Sequence, residues 1–82
     1  MQQFPRISHD NEIMGGKPCI KGLRVTVSMI LGQLSGGKTI DKLLDEYPYL
    51  SREDIMAALE YAAWAVNTKN SRKKVKRGIT DI

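Results

Sequence analysis

The stretch GQLSGGKT, residues 32–39, matches the G-x-x-x-x-G-K-[ST] pattern of nucleotide hydrolases, in which backbone N–H groups and the lysine hold phosphates. That loop has this role only between a strand and a helix of a large parallel sheet. Here the residues before Gly32 have helical spacing, and Pro48 leaves only about two turns of helix after Thr39. We therefore expect a Gly-Gly turn between two helices, with Thr39 as the N-cap of the second.

The other reactive side chains form no catalytic pattern. The chain has one cysteine and one histidine, which excludes an internal disulfide and a zinc site built from cysteines and histidines. His9 has no plausible serine or cysteine partner, and Cys19 in a strand is more often a small buried group than a nucleophile. The acidic pairs 45–46 and 53–54 flank helix ends, where the helix dipole explains the second pair. We expect no enzyme, no metal and no cofactor.

Positive charge is concentrated in the last part of the chain, whose net charge is +4. Residues 1–66 carry seven basic and eight acidic side chains, whereas residues 67–82 carry six basic side chains and one acidic one. This last segment is too poor in large apolar residues to fold by itself. We expect a folded domain at 1–68 and a basic extension at 69–82 that attracts nucleic acid or an acidic protein; its simple continuation of the third helix into water is the alternative.

Turn-forming residues divide the first two dozen residues into short extended pieces. We predict strands at about 6–8 and 19–20 in a small antiparallel ribbon, with continuation of the second strand through 23–25 as an alternative. Gly16 and Gly22 are turn positions expected to need positive φ. The chain has no apolar run long enough to span a bilayer and no signal-peptide pattern near its start, so we expect a cytoplasmic protein.

Apolar spacing becomes helical after Thr26, although VTVSMIL also alternates like a strand. We predict helices at about 27–35, capped by Thr26, and at about 40–47, ended by Pro48. A third helix begins at Ser51, with Asp54 completing a variant of the capping box. Its inward stripe is expected to be Ile55, Leu59, Ala62 and Val66. The predicted fold is mainly α: a three-helix, homeodomain-like helix-turn-helix bundle with a short N-terminal β-ribbon.

The third helix is apolar over more of its circumference than one core contact requires. Met56, Ala63 and Trp64 lie away from the inward stripe, which implies a second buried surface. Either the N-terminal ribbon covers this surface within the chain, or it is the interface of a homodimer or of a complex with another protein. The sequence favours neither interpretation.

The second helix, a connection at 48–51 and the third helix have the spacing of a helix-turn-helix. However, the first turn of the third helix offers DNA only Arg52, followed by two acidic residues that repel phosphate. Either the motif serves as a packing scaffold, held by Tyr47, Tyr49 and Leu50 around Pro48, or other cations bind DNA. The candidates are Lys17, Lys21, Arg24 and the basic extension. Arg24 has the alternative of an ion pair with Asp10 or Glu12.

Two runs, GGKPCIKGLRVTV and DEYPYLSREDIMAALEYAA, resemble the family catalogued as domain of unknown function four-three-three. The resemblance extends from about Ile7 to Ala63. Lys21, Leu23 and Thr26 depart from the arginine, threonine and proline that are usual in that family. These departures affect any hydrogen bond that the usual arginine or threonine makes in that family. They leave the expected architecture unchanged.

The resemblance implies a homeodomain-like fold similar to antitoxins of the VapB type, often encoded beside a PIN-like nuclease. Such an antitoxin is usually a dimer that binds operator DNA through its folded part and inhibits the toxin through a C-terminal extension. The residues expected to occupy the metal-binding carboxylates of the toxin are Arg72, Lys73, Lys74, Lys76 and Arg77, with Ile79 and Ile82 as apolar anchors. We therefore expect an autorepressing antitoxin, the alternatives being a DNA-binding regulator without a toxin and a pure protein-interaction module.

Overall fold

Three helices and a two-stranded ribbon form the part of the chain that the structure describes. The computed structural model describes residues 3–73, and the side chains through residue 67. The elements are β1 (Ile7–Ser8), β2 (Cys19–Ile20), α1 (Val27–Ser35), α2 (Ile40–Glu46) and α3 (Arg52–Lys73), with a single 3-10 turn at Met14–Gly16 between the strands. This order confirms the predicted mainly α fold with its N-terminal ribbon.

The element bounds follow the sequence prediction closely. β2 and α1 have the predicted bounds, whereas β1 lacks Arg6 and α2 ends at Glu46. α3 continues to Lys73 and so passes the position where we expected the basic extension to begin. The rest of that extension, residues 74–82, lies outside the described residues.

A β-hairpin at residues 18–27 leads from the ribbon into α1. β1 pairs with β2 in antiparallel register, with Ile7 opposite Ile20. After β2 the chain turns at Gly22, whose φ of 83° lies in the left-handed region that glycine adopts without steric cost. It then runs back along β2, where the Ile20 N–H donates to the Val25 carbonyl at 2.9 Å. The backbone thus satisfies its own hydrogen bonds in this hairpin, which leaves the side chains at the turn free.

Side-chain caps start each helix as predicted. The hydroxyls of Thr26 and Thr39 accept hydrogen bonds from the backbone N–H three residues on, at 3.0 and 3.1 Å. Ser51 and Asp54 form the predicted capping box, in which each side chain accepts from the backbone N–H of the other, at 3.1 and 3.0 Å. Since each cap contributes about 1 kcal/mol, these residues set where the three helices begin.

One apolar core joins the ribbon to all three helices. Its buried side chains are Ile7, Ile20, Val25, Val27, Ile30, Leu43, Leu50, Ile55 and Ala58. Leu59 and Ala62 of α3 are half-buried, as their place on the predicted stripe requires, but Val66 is 55% exposed. The prediction that Val66 is buried was wrong because it lines an open groove of about 410 Å³ with Val27 and Leu31 of α1, so it lies beside that helix without being covered by it.

Candidate nucleic-acid interface

The turn between α1 and α2 has the structure of a helix connection rather than of a phosphate loop. Gly32 lies inside α1, and Gly37 has a φ of 102°, which ends that helix. Lys38 forms an ion pair with Glu46 at the far end of α2, and this hydrogen bond lowers the pKa of the Glu46 carboxyl. The Thr39 hydroxyl caps α2. The predicted Gly-Gly turn is confirmed.

The first turn of α3 is acidic, and its one cation is engaged. The Arg52 guanidinium donates to the Asp41 carboxylate of α2 at 2.5 Å. Glu53 beside it and Glu60 two turns along are exposed carboxylates. Arg52, predicted to contact DNA, therefore lies among negative charges that repel phosphate.

Arg6 ties the ribbon to the start of α3, an ion pair that the sequence analysis missed. Its guanidinium Nη1 lies 2.9 Å from Oδ1 of Asp54, whose other oxygen accepts the capping hydrogen bond from Ser51. Asp54 is only 8% exposed, so a buried carboxylate here requires such partners. The capping box could have indicated this ion pair, because it leaves one carboxylate oxygen of Asp54 without a backbone donor.

The hairpin presents cations that the rest of the described chain leaves unpaired. Lys17 lies before its first arm, while Lys21 and Arg24 lie in its turn, and all three are exposed. Among residues 3–73, none of the three forms an ion pair. The alternative ion pair of Arg24 with Asp10 or Glu12 is therefore wrong for the described chain. Instead, Asp10 accepts a hydrogen bond from the backbone N–H of Glu12 at 2.9 Å.

Cys19 is a buried structural group, as predicted. Its side chain is 1% exposed, and the thiol donates to the Lys17 carbonyl at 3.3 Å. Burial raises the pKa of the Cys19 thiol, an effect that the nearby charge of Arg24 partly offsets. A thiol with a raised pKa stays protonated near neutral pH and is a poor nucleophile.

An exposed aromatic ring lies beside the hairpin turn. A groove of about 350 Å³ is lined by Gly22, Leu23, Arg24, Val25 and Tyr49. Tyr49 is 57% exposed and packs edge-on against Tyr47, with ring centroids 6.1 Å apart, while Leu50 is buried. The predicted aromatic packing around Pro48 is thus present, but it also places one tyrosine next to Arg24. Sequence spacing alone cannot give this proximity, because 25 positions separate the two residues.

The N-terminal segment covers one side of α3 through an aromatic cluster. The Phe4 ring lies 5.4 Å from that of Tyr61 and 5.5 Å from that of Trp64, centroid to centroid. The Tyr61 hydroxyl also lies 3.2 Å from Nε2 of His9. Trp64, predicted at an interface, therefore packs within the chain, although it keeps 39% of its surface exposed. Met56 and Ala63, predicted at the same interface, are exposed.

The residues predicted to bind a toxin lie at or beyond the end of the described chain. Arg72 and Lys73 form the last residues of α3. Lys74, Lys76, Arg77, Ile79 and Ile82 lie outside the described residues. Within residues 3–73, no helix is both long enough and apolar enough to cross a bilayer. The same residues contain no cluster of three or more side chains suited to bind a metal ion.

These elements define a small three-helix domain in which a ribbon packs on the third helix. The family model described as Protein of unknown function (DUF433) matches residues 7–62, and the chain belongs to this family. The membership predicted from two short motifs is thereby confirmed.

Two known proteins are similar to this chain. Uncharacterized protein y4eO of Sinorhizobium fredii (strain NBRC 101917 / NGR234) is 29% identical over 69 residues, which are 84% of this chain. The match spans only 30% of the length of that relative. The crystal structure of a DUF433 member protein from Anabaena variabilis ATCC 29413 superposes with a TM-score of 0.72 at 25% identity, covering 82% of this chain and 66% of that one.

Proposed function

We propose that this chain is a cytoplasmic, non-enzymatic, dimeric antitoxin-like protein that binds operator DNA, represses its own operon and neutralises a PIN-like nuclease. The observation that supports DNA binding is the distribution of unpaired cations. Lys17, Lys21 and Arg24 are exposed on one hairpin and have no anionic partner among residues 3–73. The first turn of α3, where a helix-turn-helix reads DNA, is acidic instead.

Phosphate recognition suits the hairpin better than base reading does. Lysine and arginine side chains on a projecting turn bind phosphate oxygens without regard to sequence. Tyr49 beside Arg24 adds an exposed ring that can pack on a sugar or base. We propose that the hairpin carries the DNA contact and that α2 and α3 serve as the scaffold that positions it.

Toxin inhibition is assigned to the end of α3 and the residues after it. α3 continues past Val66 through Lys69, Arg72 and Lys73. A PIN-like nuclease binds divalent metal in a cluster of carboxylates, and cations on an extended segment can pair with that cluster in place of the ion.

Substitution of the hairpin cations tests the DNA contact. We expect Lys21→Ala combined with Arg24→Ala to weaken binding to DNA from upstream of the reading frame and to lower the slope of log K against log salt by about one per lost phosphate contact. Arg52→Ala is the matched control, because it removes a cation that already has a partner. Fluorescence anisotropy over a salt series gives both quantities. A loss of binding in the control that equals the loss in the hairpin variant would reject the proposed surface.

Truncation tests the toxin assignment separately. Co-expression of the adjacent nuclease with the full chain should protect cells, whereas a chain ending after residue 68 should fail to protect them and should still bind DNA. Protection by the truncated chain would show that the folded domain, rather than residues 69–82, inhibits the nuclease.

A pure protein-interaction module is the second candidate, and the acidic start of α3 favours it. Arg52 and Asp41 neutralise each other there, and Glu53 remains exposed, a surface that repels DNA and attracts basic protein segments. Under this alternative, no double-stranded DNA from the operon binds at low salt.

A further inference from the structure

A groove of about 440 Å³ lies between α3 and the N-terminal segment that packs on it. From α3 it is lined by Glu53, Met56, Ala57 and Glu60. These four residues lie at positions i, i+3, i+4 and i+7, so they share one side of the helix. Met56 is 45% exposed, Ala57 is half-buried, and both carboxylates are exposed. The groove therefore has an apolar floor with a carboxylate at each end, and we call it the acidic groove.

The opposite wall of the acidic groove is held in place by contacts within the chain. It is formed by Phe4 and Pro5. The Phe4 ring packs against Tyr61 and Trp64, with ring centroids 5.4 and 5.5 Å away. The Phe4 carbonyl also accepts a hydrogen bond from the Ile7 N–H at 2.9 Å. Because both walls are already ordered, a partner can bind there without the entropy cost of ordering them.

The charge of the acidic groove is set by its two carboxylates, because its cations are already paired. Arg6 and Arg52 also line the groove. Arg6 forms an ion pair with Asp54, and Arg52 forms one with Asp41. The carboxylates at the two ends of the groove form no ion pair within the described part of the chain. This surface repels phosphate and attracts a cationic partner.

The distance between the two carboxylates is too long for one metal ion to join them. Seven residues of helix separate Glu53 from Glu60 by about 10 Å along the axis. Oxygen ligands of a bound metal ion lie within about 2.6 Å of it. A small cation at one end would also leave the apolar floor uncovered. The groove therefore fits an occupant that presents two separate cations with an apolar group between them.

We propose that the acidic groove binds a basic amphipathic helix of another protein, with lysine or arginine at positions i and i+7 and a large apolar residue at i+3 or i+4. The two cations of such a helix lie on one side, about 10 Å apart, and match Glu53 and Glu60. The apolar residue between them covers Met56 and Ala57. Residues on one side of a β-strand lie about 7 or 13 Å apart, which fits this spacing less well.

The basic end of this chain does not have that pattern. Lys69 and Lys76 are seven residues apart, but the positions between them that would face the apolar floor are Arg72 and Lys73. A second copy would therefore place charge on apolar surface, which costs desolvation free energy. The occupant is a different protein. The inference supplies a surface for the protein-interaction alternative, but it holds whether or not the hairpin binds DNA.

A synthetic helix tests the groove with the full 82-residue chain. The probe is a fluorescein-labelled peptide of about 18 residues, rich in alanine and glutamine, with lysine at i and i+7 and leucine at i+3 and i+4. Fluorescence anisotropy at low salt should show at least about tenfold tighter binding than for the same peptide with serine in place of leucine. Equal affinity for the two peptides, or binding of neither, would overturn the proposal.

Charge reversal distinguishes the groove from the rest of the surface. Glu53→Lys combined with Glu60→Lys should weaken binding of the lysine peptide by at least about tenfold. Glu12→Lys combined with Asp45→Lys is the matched control, because it gives the same net charge at exposed carboxylates outside the groove. A peptide with glutamate in place of each lysine should bind the groove variant more tightly than the control variant. Equal responses of the two variants to both peptides would contradict the proposed site.

Two methionines of similar exposure test the apolar floor. Met56→Ser should weaken binding of the lysine peptide by about fivefold, because it removes apolar surface that the leucine covers. Met14→Ser is the control, since Met14 is 42% exposed and lies outside the groove. Circular dichroism should show unchanged helix content in both variants. An affinity unaffected by Met56→Ser would mean that the floor is not covered, and it would reject a helix as the occupant.

The same charge-reversal variants detect a second copy as the occupant. Sedimentation equilibrium measures self-association of the chain without any peptide. Self-association that is lost in the groove variant and kept in the control would identify the occupant as another copy of this chain and would overturn the proposal. We expect the two variants to self-associate equally.

Discussion

The hairpin at residues 18–27 and the first turn of α3 are both places where a small DNA-binding domain can display cations, but they use them differently. In α3, Arg52 is bound to Asp41, and the nearby Arg6 to Asp54. In the hairpin, Lys21 and Arg24 have no ion pair among residues 3–73. A basic residue is therefore a candidate for binding only after its structural partners have been counted.

The two regions differ because a helix start and a hairpin satisfy their backbone hydrogen bonds in different ways. A helix start leaves N–H groups unsatisfied, and the side chains of Ser51 and Asp54 are needed to satisfy them. A hairpin pairs its own arms, so Lys21 and Arg24 at its turn are not needed to satisfy backbone groups, and only Leu23 of this turn packs against the core. Structural roles therefore concentrate at the start of α3 and leave the hairpin turn available for binding.

The largest expected effect is at the buried carboxylate of α3. Asp54→Ala removes one half of the capping box and the partner of Arg6, so we expect the free energy of unfolding to fall by about 2 kcal/mol. Urea unfolding followed by circular dichroism measures the change. Glu53→Ala, which alters an exposed carboxylate in the same turn, should change stability by less than about 0.5 kcal/mol. Equal losses in the two variants would mean that Asp54 has no special structural role.

Arg6 and Arg24 should differ in their contributions to stability. Arg6→Ala leaves Asp54 buried without its cation, and we expect a loss of about 1 kcal/mol in the free energy of unfolding. Arg24→Ala should leave stability within about 0.5 kcal/mol of the unsubstituted chain. Denaturant midpoints with an unchanged slope provide the measurement. If Arg24→Ala were the more destabilising of the two, the hairpin turn would have a structural role that the account denies.

Alanine substitution of one glycine in the hairpin turn and one in a helix tests how each backbone conformation contributes to stability. Gly22→Ala should destabilise the fold by about 1 kcal/mol, because its φ of 83° disfavours any L side chain although no atom lies within 4 Å of the added Cβ. Gly32→Ala in α1 should instead stabilise it by about 0.5–1 kcal/mol, since alanine favours a helix and the added Cβ also meets nothing within 4 Å. The midpoint temperature of thermal unfolding should fall for Gly22→Ala and rise for Gly32→Ala. A destabilised Gly32→Ala chain would mean that α1 is not an ordinary helix at this position.

The smallest expected effect is a pH dependence from Cys19. Burial raises the pKa of the folded thiol above that of the unfolded chain, so its contribution to stability is complete below about pH 9 and is lost as the pH rises through the folded value. Cys19→Ala should remove this part of the alkaline decline in stability, seen as a shallower slope of unfolding free energy above pH 9. A slope unchanged by the substitution would indicate that the thiol titrates as it does in water.

Local signals in the sequence predicted most of the fold. The three caps, the proline after α2 and the change from alternating to helical spacing depend on residues close together in the chain, and they place the start of each helix and the ends of α1 and α2 within a residue. The burial predicted for Val66 was wrong for a tertiary reason, because helical spacing shows which side of α3 faces α1 but not whether the groove between the two helices is filled.

The candidate site was less predictable because it is defined by pairings between distant residues. Arg52 and Arg24 are both candidate cations in the sequence, and only the folded chain shows that the first is neutralised and the second is free among the described residues. Arg6 was missed because its partner lies 48 positions away, and the position of Tyr49 beside the hairpin depends on how α2 and α3 pack. The roles of residues 69–82 stay predictions.

Amide chemical-shift mapping tests the central claim most directly. The ¹⁵N-labelled full chain is titrated with double-stranded DNA from upstream of its reading frame, at low salt. We expect the largest shift changes on residues 17–24 and Tyr49, with small changes at residues 52–60. The largest changes at 52–60, with the hairpin unaffected, would contradict it.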